Sequence, residues 1–303
     1  MANPLIVFIG GPTASGKTGL GISLAKRYST FVISADSRQM YQEMTIGTAK
    51  PSSDELSEVK HFLVDDRSVQ NPMNAGDFER EALDIIKNSE EKIIFVVGGT
   101  GLYMKALYDG LDEFPEVPSE IREELNREFE TEGIEHLQEK LKSADPEYYE
   151  VVDLNNPRRL IRALEVIEAS GQRYSAFRKG SSGRSDLNVL KMAIDVDRDR
   201  LYQRINHRMD KMIEKGLFKE AESLYEFKEL QPLKTVGYQE VISYLDNEYD
   251  YDEAVRLLKR NSRRYAKRQL TWFKREDFEW IDLKDFESIT DRIDKEIEKI
   301  KKG

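Results

Sequence analysis

The stretch that decides the architecture is Leu5-Ile6-Val7-Phe8-Ile9-Gly10-Gly11-Pro12-Thr13-Ala14-Ser15-Gly16-Lys17-Thr18, followed by Leu20, Ile22, Leu24 and Ala25. Five apolar residues closed by glycines read as a strand buried on both faces, the parallel-sheet pattern. The apolar spacing after Thr18 reads as a helix. Between the two, Gly11, Pro12, Thr13, Ala14, Ser15, Gly16, Lys17 and Thr18 satisfy G-x-x-x-x-G-K-[ST] in full. The glycines let backbone N–H groups turn inward around a phosphate chain, and the helix N-terminus adds partial positive charge. Lys17 is placed to reach the outer phosphate and the Thr18 hydroxyl to hold Mg²⁺. Most such loops bind ATP or GTP, so the loop alone names no reaction.

Outward from this loop, Phe31-Val32-Ile33 and Ile93-Ile94-Phe95-Val96-Val97 are further short apolar runs, and 189–196 reads as another strand. Helical patterns at 19–27 and 78–87 separate the first three. Alternating strand and helix implies a parallel sheet with right-handed crossovers. The expected fold class is α/β, a P-loop NTPase-like parallel sheet flanked by helices. Between 115 and 185 the texture becomes helical and charged, with no strand-like run. Asn156-Pro157 reads there as an N-cap followed by proline at the first helical position. Gly180-Ser181-Ser182-Gly183 reads as a connector. The expected organisation is a catalytic core, 1–114 with 186–303, carrying an all-helical insertion domain at 115–185. From 201 onward the chain reads as mainly helix.

Strand ends on the loop side of a parallel sheet point into the ligand crevice. The second run ends Ser34-Ala35-Asp36 and the third Val97-Gly98-Gly99-Thr100. Asp36 and Thr100 are therefore expected near the phosphates. Taken alone, Asp36 reads as a metal ligand, a base or a helix cap, and Thr100 as a site residue or a turn residue.

Composition narrows the function class. With no cysteine in 303 residues, disulfide and thiolate chemistry are excluded, and three histidines make a histidine-rich zinc site improbable. No apolar run approaches the roughly 20 residues that span a bilayer. The N-terminus has no basic segment of a secretory signal, so a cytoplasmic location and no membrane partner are expected. The net charge of −10 argues against a nucleic-acid binder on average, but the average hides a pattern. Residues 112–150 hold 14 acids against four bases, 158–184 seven bases against two acids, and 256–275 nine bases and no acid. Basic residues gathered on one face bind phosphates even in an acidic protein. Solvated helix faces are the alternative for each segment.

Six strings together resemble the tRNA dimethylallyltransferase family: GPTASGKT at 11–18, SADSRQMY at 34–41, GGTGLY at 98–103, PRRLIRALEV at 157–166, GYQE at 237–240 and RRYAKRQLTWFKR at 263–275. The resemblance runs from residue 5 to about 275. It implies an enzyme that transfers a dimethylallyl group from dimethylallyl diphosphate to N6 of the adenosine 3′ of the anticodon, position 37. The phosphate loop then holds the donor's diphosphate, with Mg²⁺ as cofactor. Asp36 matches the family's proposed base, Thr100 a hydrogen-bond donor near the bridging oxygen, and Lys17 a cation on the leaving group. Arg208 matches an arginine that reaches the diphosphate from the far side, with Arg204 one helical turn away on the same face.

The same resemblance implies that Asp36, Ser37, Arg38, Gln39 and Thr100 meet the target adenosine and its neighbours. It also implies that Arg158, Arg159 and Arg162 meet the anticodon stem-loop of tRNA. Arg122 falls where relatives have another tRNA contact; a surface arginine in an acidic helix is the other reading. Arg256, Arg260, Arg263 and Lys267 follow helical spacing that suits an A-form backbone; pairing with the acidic tail is the alternative. A monomer is expected. The rival functions are an ATP-dependent small-molecule kinase, a prenyltransferase acting on free adenosine nucleotides, and an RNA-binding protein without transfer chemistry.

Overall fold

The structure, a computed structural model, describes residues 3–178, 184 and 186–302. Its chain divides into two compact units, Met1–Tyr108 with Arg184–Gly303, and Asp109–Gly183. The expected connector 180–183 lies outside the described residues.

The first unit is built on six parallel strands: β1 (Leu5–Gly10), β2 (Val32–Ser34), β3 (His61–Phe62), β4 (Ile93–Gly98), β5 (Asn188–Ile194) and β6 (Glu279–Ile281), in the order β3-β2-β4-β1-β5-β6. Strand β1 lies between β4 and β5, with Leu5 opposite Ile93 and Asn188. Its side chains alternate between two cores, which is why the run is continuously apolar. Ile6 and Phe8 join one core with Ile33, Ile94 and Val96. Leu5, Val7 and Ile9 join the other with Val32, Phe95 and Met192. The connections leaving β1 and β4 run to opposite sides of this pair, so a crevice opens at their carboxyl ends.

Two strands escaped the sequence reading. Strand β3 has only two residues, and β6, Glu279-Trp280-Ile281, is largely exposed and lacks the buried apolar run that marks β2. The acidic tail is a working part of the core. The helix Phe286–Lys302 buries Ile289 and Ile293 and packs Ile297 and Ile300 against the face that holds Leu5 and Val7. Among the described residues no helix is long and apolar enough to cross a membrane.

The second unit is all helical, with its core made by Leu125, Leu137, Leu141, Leu160 and Leu164. It begins at Asp109 rather than at 115, because Gly110 (φ 84°) terminates the preceding helix Gly101–Asp109. The Asn156 side chain caps Pro157–Ser170 by accepting from Arg159 N–H, as the sequence predicts. That helix carries an acid, Glu165, on its buried side. Glu165 accepts two hydrogen bonds from Arg122, each 2.6 Å, and one from Arg162 at 2.6 Å. Burial pushes its carboxyl up, but the two arginines more than offset this and hold it below the usual carboxylate range.

Removing both partners strands a buried charge. Arg122→Ala with Arg162→Ala is expected to destabilise this unit by roughly 3–5 kcal/mol. Glu165→Leu is expected to cost less, because the guanidiniums left behind are 58% and 39% exposed and stay hydrated. Urea denaturation of the two variants decides the matter; equal or reversed costs contradict the assignment.

Candidate active site

The loop after β1 has the backbone that its glycines allow. Gly11, Ala14 and Gly16 all have positive φ, 152°, 62° and 103°. Gly16 precedes the helix Lys17–Arg27 in a left-handed conformation and supplies no side-chain cap, so the first N–H groups of that helix stay available to an anion. The Ser15 hydroxyl is fully buried in the loop and has no partner among the described residues. Buried hydroxyls are normally hydrogen-bonded. A phosphate oxygen is the acceptor this loop is shaped to receive.

Lys17 is partly buried and donates to Pro12 O at 3.2 Å. Burial lowers its pKa to about 8, Asp36 opposing and Arg208 assisting. Burial also depresses Arg208, again opposed by Asp36. Arg204 and Arg208 occupy different positions. Both lie on the helix Arg198–Glu214, but Arg208 lines the inner cavity with Lys17 and Asp36. Arg204 is exposed, donates to Ser15 O at 3.3 Å, and lines only the broader cleft described below, which it shares with Lys17 and Arg208.

The loops after β2 and β4 are stitched together. Thr100 N–H donates to Ala35 O at 3.2 Å, and Ser37 N–H donates to Thr100 Oγ1 at 3.0 Å. The Thr100 hydroxyl donates to Ser37 Oγ at 3.2 Å. Gly98 permits this approach, since a Cβ there would lie 2.1 Å from Ala35 O. Asp36 accepts from Arg38 N–H at 3.0 Å, which orients its carboxylate. Arg38 reaches Gln231 at 3.2 Å, and Gln39 donates to Thr48 O and Ala49 O.

Lys17, Thr18, Asp36, Arg38, Gln39 and Arg208 line one cavity of about 100 Å³, with Ile205, Met209, Met212 and Val236 supplying apolar wall. A broader cleft of about 890 Å³ shares Lys17, Thr18, Ala49, Arg208 and Met212 with it, and its rim carries Lys50, His207, Lys211 and Lys215. One cleft wall, residues 45–47, is held by Glu220, which accepts three backbone N–H bonds of 2.7–3.1 Å. Tyr238 of the GYQE string donates to the same carboxylate at 2.6 Å, which gives that string a physical role.

Two residues of this site carry no sequence prediction. Tyr265 lines the cavity within hydrogen-bonding reach of the Thr100 side chain. Burial and the Asp36 charge push its phenol up to about 12, so it stays protonated. Gln269 is buried and bonds to both loops. Both lie on the helix Tyr251–Arg275, whose sequence draws attention by charge. The detectable signal is the interleaved face Ser262, Ala266, Gln269 and Phe273, all buried.

The arginines expected at nucleic acid fall into two groups. In the insertion unit Arg158 and Arg159 are exposed, whereas Arg122 and Arg162 are engaged by Glu165. In the helix Tyr251–Arg275, Arg256 pairs with Glu253 and Arg263 donates to Asn206. Arg264, Lys267 and Arg268 are exposed. Among the described residues no ion pair joins this helix to the acidic tail.

Among the described residues no three carboxylate or histidine side chains form a metal cage. The donor set here is one hydroxyl, Thr18, and one carboxylate, Asp36, on the cavity wall. That fits Mg²⁺, which keeps several waters and binds largely through substrate phosphates.

Residues 39–276 match the family model of IPP transferases. The tRNA dimethylallyltransferase of Cytophaga hutchinsonii is 46% identical over 276 residues, 90% of this chain and 91% of that one. The crystal structure of the tRNA isopentenylpyrophosphate transferase of Bacillus halodurans aligns with a TM-score of 0.73 at 37% identity, covering 99% of this chain and 98% of that one. A eukaryotic dimethylallyltransferase crystallised acting on tRNA shares the fold, with a TM-score of 0.77 at 24% identity over 92% of this chain and 74% of that one. With this phosphate loop, this cavity and these likenesses, the chain belongs to the IPP transferase family, that of the tRNA dimethylallyltransferases.

Proposed function

We propose that this protein transfers the dimethylallyl group of dimethylallyl diphosphate to N6 of the adenosine 3′ of the anticodon, position 37, in tRNA, releasing diphosphate. The observation that carries the reading is the convergence of Lys17, Arg208 and Asp36 on one cavity beside the phosphate loop. Two partly buried cations suit a leaving group on which negative charge accumulates, and one carboxylate suits an acceptor that must lose a proton.

The adenine N6 amine is a weak nucleophile, because its lone pair is delocalised into the ring. As N6 attacks the allylic carbon, the bond from that carbon to the bridging oxygen breaks and its electron pair passes to diphosphate. Asp36, oriented by Arg38 N–H, takes the N6 proton. Lys17, Arg208 and the loop N–H groups meet the developing charge on diphosphate, where a preorganised donor is worth most. Thr100 Oγ1 is anchored by Ser37 N–H, which leaves its own proton free to turn from Ser37 Oγ to the bridging oxygen. Thr18 and the diphosphate oxygens would hold Mg²⁺, which when bound neutralises leaving-group charge. Ile205, Met209, Met212 and Val236 give the allylic tail a wall that excludes water.

For tRNA, the target base must leave its stack to reach a recessed carboxylate. Ser37, Arg38 and Gln39 adjoin Asp36 and present hydrogen-bonding groups to it and its neighbours. Arg158 and Arg159, exposed in the insertion unit, are proposed to meet phosphates of the anticodon stem-loop. Arg122 and Arg162 contribute first by holding Glu165.

Asp36→Asn is expected to lower the single-turnover rate of transfer to tRNA by roughly 10²–10⁴-fold, with tRNA affinity by filter binding nearly unchanged. Normal chemistry with lost affinity rules out Asp36 as base. Lys17 must be protonated to neutralise diphosphate, and its depressed pKa means that the cation is lost as pH rises. The donor kcat/KM, which reports free-enzyme ionisations, should therefore be level below pH about 8 and fall above it. A profile level to pH 10 contradicts the lowered pKa of Lys17, and Lys17→Ala with unchanged donor kcat/KM contradicts its role. Arg158→Ala with Arg159→Ala should raise the KM for tRNA and reduce the slope of log affinity against log salt by roughly 1.5–2; an unchanged slope places the phosphates elsewhere.

A further inference from the structure

The helix Tyr251–Arg275 is keyed into the carboxyl end of β1 and the segment that follows β4 by three contacts at glycines. The Phe273 ring occupies the place of a Cβ on Gly10, 2.2 Å from its ideal position. The Trp272 indole does the same at Gly101, also at 2.2 Å, and the Gln269 amide at Gly99, at 2.3 Å. Of the three, only Gln269 also makes directional bonds to both loops. Its Oε1 accepts from Thr13 N–H at 2.9 Å, inside the phosphate loop. Its Nε2 donates to Gly99 O at 3.0 Å, one residue before Thr100. The side chain is 7% exposed, so water does not compete for either bond.

The chemistry of the pair specifies the residue type. One partner is a donor and the other an acceptor, so the bridge must carry one of each at a fixed separation. A glutamate would lose the donor and place negative charge beside a diphosphate site. An aliphatic side chain would fill the space and leave Thr13 N–H and Gly99 O unsatisfied.

We propose that Gln269 is a positioning residue that sets the spacing between the diphosphate-holding loop and Thr100. Its effect on the reaction passes through the Thr100 hydroxyl. The proposal rests on the reading of Thr100 as donor to the bridging oxygen. Misplacement of a catalytic group by about 1 Å costs on the order of 10²-fold in rate, so loss of the bridge should register in the chemical step.

The test is a double-mutant cycle on single-turnover transfer to tRNA, at saturating donor and tRNA, for wild type, Gln269→Leu, Thr100→Ala and the double variant. Gln269→Leu should slow the wild-type reaction by roughly 10- to 100-fold. In the Thr100→Ala background the same change should cost less than about threefold, because the group being positioned is already gone. A general loosening of the fold would cost the same factor in both backgrounds, and that result overturns the proposal, as does a wild-type rate for Gln269→Leu. If Thr100→Ala alone reacts at the wild-type rate, the reading of Thr100 fails and the proposal with it. Gln269→Met, which keeps the length of the side chain, adds no charge and loses both polar groups, carries the same cycle should the leucine variant not fold.

Discussion

Lys17 and Arg208 share a recess in which burial disfavours both of their charges, and Asp36 is the carboxylate that faces them there. Two like charges withdrawn from water beside a single anion leave a net positive site of low polarisability. Such an arrangement costs folding energy and is relieved when an anion of higher charge arrives. A diphosphate supplies that anion, and the gain grows as its bridging bond breaks and charge collects on its oxygens. The same carboxylate that tempers the two cations is the one proposed to take a proton from the incoming amine. Donor and acceptor chemistry are thus coupled through one electrostatic balance.

The sheet exists to hold that balance in place. Strands β1, β2 and β4 are buried on both faces, and the loops at their carboxyl ends bring Lys17 and Asp36 to one cavity and Thr100 against Ser37, the neighbour of Asp36. The Thr100–Ser37 and Thr100–Ala35 bonds tie the second to the third, and Gln269 ties the third to the first. Glu220 and Tyr238 fasten the wall at 45–47 from a different side. The glycines at 10, 98, 99 and 101 are positions where a neighbouring atom already fills the space of a Cβ. Their purpose is close approach, and at these four it is not a left-handed turn.

The phosphate loop, Asp36 and Thr100 were legible in the sequence because a buried parallel strand announces itself by composition and its carboxyl end has one destination. Arg208 was legible only to within one helical turn, since Arg204 shares its face and only the folded structure puts Arg208 on the inner cavity and Arg204 on the Ser15 carbonyl. Tyr265 and Gln269 were hidden in a run conspicuous for its arginines, although their spacing from Ser262 marks a buried face of the same helix. The string PRRLIRALEV shows its basic residues plainly. What it cannot show is that Glu165 points inward and engages Arg162 and a distant Arg122. Strand β3 has two residues, and the exposed edge strand β6 carries no apolar run, so both emerged only with the sheet. The tail helix was legible in principle: Phe286, Ile289, Ile293, Ile297 and Ile300 fall at spacings of three and four, but its high charge drew the eye first.

The most direct measurement incubates the protein with Mg²⁺, labelled dimethylallyl diphosphate and, in parallel, unmodified tRNA bearing adenosine 3′ of its anticodon, or AMP. The account predicts label on the tRNA at that adenosine and none on AMP. Label on AMP, or no transfer to either acceptor with tight binding of ATP instead, would contradict it.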